Sequence, residues 1–71
     1  MKPDYQLISD AENLIPKANV DNSQIIQICL RSYLGACKDD NNLDMNVYAY
    51  YLRQYISEAK RILAAQAMKD M

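Results

Sequence analysis

Few side chains in this chain are equipped for chemistry, and their spacing limits what they can do. The densest group is Asp39-Asp40-Asn41-Asn42-Leu43-Asp44. Asp40, Asn42 and Asp44 fall at the first, third and fifth positions of an EF-hand loop, where carboxylate and amide oxygens would surround a calcium ion. The rest of that pattern fails. Met45 stands where the sharp turn needs glycine, and Tyr51 where a bidentate glutamate would close the coordination shell. The run reads instead as a polar turn that supplies the following helix with its cap.

The two thiols, Cys29 and Cys37, lie eight residues apart in what reads as one helix or its end. Eight residues of helix separate them by about 12 Å, whereas a disulfide needs Cα atoms closer than about 7 Å. With no CxxC spacing, no third cysteine and no histidine in the chain, a zinc site is not expected. The missing histidine also removes the commonest general base. Glu12 and Glu58 belong to different helices, and no serine has a base or an oxyanion loop beside it. A single glycine excludes glycine-rich phosphate loops. The expectation is a protein that is not an enzyme, holds no metal and needs no cofactor.

These residues must be positioned by a short chain of 71 residues, enough for one domain. Its 51% apolar share and 24% charged share place it among folded globular proteins. A formal charge of −1 provides no basic field for a phosphate backbone or an anionic membrane. The connection before the third helix is long and acidic, unlike a helix-turn-helix, so nucleic acid is not the expected partner. No stretch approaches the ~20 apolar residues of a membrane span, and Met1-Lys2-Pro3-Asp4 opens no hydrophobic signal segment. The expected address is the cytosol.

Hydrophobic periodicity predicts an all-α fold of three helices, over about 3–15, 22–37 and 44–68, in a single domain. The second and the long third helix should form a hairpin, with the first packed on it. In the first helix Leu7, Ile8, Ala11, Leu14 and Ile15 lie within roughly 120° of arc, and Pro16 ends the helix. Pro3 suits its first turn, although Ser9 with Glu12 would also permit a later start. The second helix has Asp21 as expected cap, Gln24 three residues on, and a staple of Val20 with Ile25. Gly35 stands either in its last turn or at its stop. The third starts at Asp44, again as expected cap, and runs without glycine or proline to about Met68.

The apolar arcs are wide. Packing on one neighbour needs roughly 100°, yet the second helix shows about 180° and the third about 160°. Ile28 stands outside even the wider arc. The third helix has an aliphatic edge of Ala49, Leu52, Ile56, Ala59 and Leu63, expected to pack on the second helix, and an aromatic edge of Tyr48, Tyr51 and Tyr55. All six aromatic residues are tyrosines, whose rings can be buried while the hydroxyl stays wet, a common choice at interfaces. Tyr50 alone falls in the polar face of that helix. The apolar surplus points to a protein interface. The expected partner-binding groove is lined by Leu30, Leu34, Tyr48, Tyr51, Tyr55 and Ile62.

The outline, with its long C-terminal helix after a polar turn and the Tyr48 to Leu63 stretch of tyrosine and spaced aliphatics, resembles the small co-chaperones that hold needle subunits in bacterial type III secretion. That resemblance implies a chaperone-like role toward another helical chain and assigns no residue. The expected function is a small helical interaction module, chaperone- or adaptor-like, that binds another helical protein or a second copy of itself. Antitoxins, phage-type inhibitors and DNA-binding repressors share the size and helix content, so a small regulator is the alternative.

Overall fold

The computed structural model describes residues 2–69. Its elements are three helices, α1 (Tyr5–Leu14), α2 (Val20–Lys38) and α3 (Asn42–Lys69), with no strand among the described residues. The all-α architecture and the hairpin of α2 and α3 follow the periodicity. Twelve apolar side chains from all three helices form one core, including Leu7, Ala11 and Leu14 of α1, Ile26, Leu30 and Tyr33 of α2, and Met45, Leu52 and Ile56 of α3.

The helix starts differ from expectation, and capping geometry explains each case. Asn19, not Asp21, caps α2: its side-chain oxygen accepts from the Asn22 amide at 2.8 Å, leaving Asp21 in the first turn. Asn41, not Asp44, caps α3. Its Oδ1 accepts from the Asp44 amide at 3.1 Å while its Nδ2 donates to the Asp44 carboxylate at 2.9 Å. Asp44 thus answers the cap from three residues on, the position of the acidic partner in a capping box. In α1 the cap is Asp4, accepting from the Leu7 amide at 3.1 Å, so Pro3 precedes the helix and Ser9 lies inside it.

Gly35 does not end α2. The helix continues through Cys37 to Lys38, and the left-handed position is Asp40, at φ 54°. The Asn41 amide donates to the Ala36 carbonyl at 2.9 Å and the Asp40 amide to the Cys37 carbonyl at 3.2 Å. Those two bonds make a Schellman stop with aspartate where glycine is usual. The stop delivers the chain directly to Asn41, so one short turn ends α2 and starts α3.

Against this hairpin α1 runs parallel to α3. Asp4, the cap of α1, lies beside Arg53, and Asp10 beside Lys60. The buried Tyr33 of α2 accepts the Asp4 amide at its hydroxyl, 2.8 Å away, and Ser23 donates its hydroxyl to the Ile15 carbonyl at 2.8 Å. Four polar contacts from two helices border the seam in which Leu7, Ala11 and Leu14 of α1 are buried against the hairpin. At about 1.5 Å per residue the 28 residues of α3 span about 42 Å, which accounts for the 45 Å long axis of the molecule. Its last six described residues, Ala64 to Lys69, are all exposed.

Candidate functional site

Where α1 covers one side of the hairpin, the opposite side stays open. There a shallow apolar groove of about 250 Å³ runs between α2 and α3, lined by Ile25, Ile28, Cys29, Tyr51 and Tyr55. Ile25, Ile28, Cys29 and Ser32 follow one another at helical spacing on α2, and Asp44, Tyr48, Tyr51 and Tyr55 do so on α3. Each series faces the other across the seam. Ile28 is 61% exposed and Tyr51 46% exposed, so two large apolar side chains stand in water side by side. Tyr50 meets Tyr51 edge to face with ring centroids 5.8 Å apart, which steadies the exposed Tyr51 ring.

Of the six residues expected in a groove, the structure brings some together and separates others. Tyr51 and Tyr55 line it. Tyr48 and Ile62 are half-buried, Tyr48 packing on the core. Leu30 is 8% exposed and belongs to the core beneath. Leu34 is 42% exposed but lies six residues from Ile28, about 120° away around α2, and is not among the groove's lining residues. The α2 wall is built instead from Ile25, Ile28 and Cys29. The signal for them was Ile28 itself, whose position outside the main arc marked a second apolar face rather than a stray side chain.

Burial pushes the Cys29 thiol above its ordinary range, so the groove holds a neutral and weakly reactive sulfur. Cys29 and Cys37 are both free thiols.

Two polar recesses lie beside the groove. One of about 330 Å³ lies between α1 and α3, bordered by Asp4, Asp10, Arg53, Ser57 and Lys60. Its charges already pair, Arg53 with Asp4 at 3.1 Å and Lys60 with Asp10 at 4.0 Å. The amide of Leu7, followed by Arg53, holds the Asp4 carboxyl below the usual carboxylate range. The recess is therefore a docking seam for α1 rather than a centre of unbalanced charge. The other, about 490 Å³ on the outer surface of α3, lies among Tyr50, Tyr51, Gln54, Glu58 and Arg61 and continues the rim of the apolar groove.

The acidic turn does not adopt an extended ligand loop. From Asn42 onward its residues are helical, and the Asn41 and Asp44 side chains are bonded to each other. No group of three or more metal-ligating side chains converges among the described residues. No described helix is long and apolar enough to cross a membrane. Comparison with protein-family models, with curated proteins and with solved structures finds no match to this chain.

Proposed function

We propose that this chain is a non-enzymatic interaction module of the cytosol, chaperone- or adaptor-like, whose α2/α3 face receives another helical surface. The observation that carries this reading is the open apolar seam, with Ile28 and Tyr51 exposed side by side on the face that α1 leaves uncovered. Contiguous apolar surface rimmed by polar residues is the mark of an interaction site. A groove between two helices suits a third helix that lays an apolar stripe along it. The free thiols suit a reducing compartment.

The test separates anchors from core. Tyr51→Ala and Tyr55→Ala should weaken association by about 1 to 3 kcal/mol. Leu52→Ala and Ile56→Ala remove buried side chains and should instead lower stability by about 2 to 5 kcal/mol. Association by calorimetry and unfolding by circular dichroism, measured for all four variants, decide the matter. If the tyrosine variants unfold the protein as badly as the aliphatic ones while the folded fraction binds normally, the rings are core and the reading fails. Retention on a polyanion column at moderate salt would favour a nucleic-acid regulator instead.

A further inference from the structure

Resting on the reading of the α2/α3 face as a docking surface, we propose that its partner is a basic amphipathic helix, with an apolar stripe and lysine or arginine near both ends. Charge complementarity carries the assignment, because both ends of the apolar groove are acidic.

At about 100° per residue, the middle of the α2 wall lies between Ile28 and Cys29, about 50° around the helix from Ile28. Asp21 and Asp39 both fall within about 35° of that line. On α3 the middle of the wall lies between Tyr51 and Tyr55, with Asp44 on its line and Glu58 within about 40° of it. All four acids are exposed, and none forms an ion pair within the chain among the described residues.

The cations of the same helices stand elsewhere. Arg31 and Lys38 lie more than about 110° from the α2 line, and Arg61 about 100° from the α3 line. Arg53 and Lys60 face Asp4 and Asp10 on the side of α1. Lys69 shares the α3 line but lies about 16 Å beyond Glu58.

The antiparallel hairpin gathers the four acids into two pairs. Ile25 and Tyr55 line the groove together, as do Cys29 and Tyr51, which sets Asp21 within about 2 Å of the level of Glu58 and Asp39 within about 5 Å of that of Asp44. The pairs are about 21 Å apart along α3 and about 27 Å along α2, the length of a helix of roughly 14 to 18 residues. Such a helix would set apolar side chains against Ile28, Tyr51 and Tyr55 and a cation against each acidic pair. A second copy offering the same face would bring carboxylates against carboxylates in either direction.

The probe is a synthetic helical peptide of about 18 residues, with leucines at three- and four-residue spacing and lysines flanking the stripe in its first and last turns. A companion peptide carries glutamate for every lysine. Each is titrated into the full chain by fluorescence anisotropy at low and moderate salt. The basic peptide should bind at least about tenfold tighter, and the ratio should shrink with salt. Glu58→Lys and Asp39→Lys should each weaken its binding about tenfold. Lysine at position 39 suits the negative end of α2, so that helix should keep its stop. Glu12→Lys makes the same charge change on α1 and should alter affinity by less than about twofold. Tyr51→Ala should weaken binding of the basic peptide by removing an apolar anchor. Circular dichroism checks that each variant folds, and Asp21→Asn replaces any that does not.

Equal affinity for the two peptides, or equal losses in Glu12→Lys and Glu58→Lys, overturns the basic partner. The docking face then stands if Tyr51→Ala still weakens binding. A dimer of the chain alone that the basic peptide fails to dissociate would put a second copy on the face and also overturn the basic partner. Binding that Tyr51→Ala leaves unchanged would be attraction by charge alone and would overturn both readings, as would a failure of either peptide to bind.

Discussion

Two residues carry conformational costs that substitution can reveal. Asp40 holds a left-handed backbone at the end of α2, where glycine avoids the clash of a Cβ with the backbone. Its carboxylate also stands at the negative end of the α2 dipole. Asp40→Gly should therefore stabilise the chain by about 0.5 to 1 kcal/mol, read as a rise in melting temperature of several degrees. Gly35 is the converse. It lies in the helical body of α2 without a positive φ, and a Cβ there would meet nothing within 4 Å. Gly35→Ala should add roughly 0.5 to 1 kcal/mol by removing freedom from the unfolded chain. Chemical denaturation of the two single variants tests both, and a loss at Gly35 would show that the site is more crowded than the backbone implies.

At the scale of elements, α1 is tied down by groups at its start and end, and one of them titrates. The Asp4 carboxyl lies below its ordinary pKa because it accepts the Leu7 amide and faces Arg53. A depressed folded pKa means that the stabilisation is present above the unfolded value. It is lost as pH falls from there through the lowered folded value. Asp4→Asn keeps a cap but cannot titrate, so its acid limb below about pH 4 should be shallower than that of the wild type in a melting series. Equal slopes would mean that other carboxylates dominate acid unfolding. Both partners of the Asp4–Arg53 pair are well exposed, so the ion pair itself should add little.

For the whole molecule, the core is small and partly built from alanine, with Ala11, Ala36, Ala49 and Ala59 among its twelve buried members. A chain of this length gains little net free energy from one such core. Occupation of the α2/α3 face would add what the monomer lacks, so the melting temperature should rise with the concentration of the basic helical peptide. It should not respond to reducing agent, because both thiols are free. A high melting point that the peptide leaves unchanged would show that the three helices suffice alone. A large drop on reduction would reveal a disulfide between copies.

Local chemistry made much of this legible in advance. The proline after Ile15, the asparagines and aspartates of the two turns, and the apolar spacing along each segment determine three helices and a hairpin, because helix stops and stripes depend on residues a few positions apart. The same reasoning placed the caps two or three residues late, since neighbouring Asn and Asp side chains compete for one role and only backbone geometry chooses between them. The aliphatic edge of α3 was legible too: Ala49, Leu52, Ile56 and Ala59 are all buried.

What tertiary structure alone decided is the side of the hairpin that α1 occupies. Both sides of α2 carry apolar residues, Leu30 and Leu34 toward one and Ile25 and Ile28 toward the other, so periodicity cannot tell a covered seam from an open one. The choice rests on the burial of Leu7, Ala11 and Leu14 against the hairpin, with Tyr33 and Ser23 bonding the two ends of α1 across 29 and 8 residues of chain. Those contacts draw α1 over the Leu30 side and leave Ile28 beside Tyr51 in water.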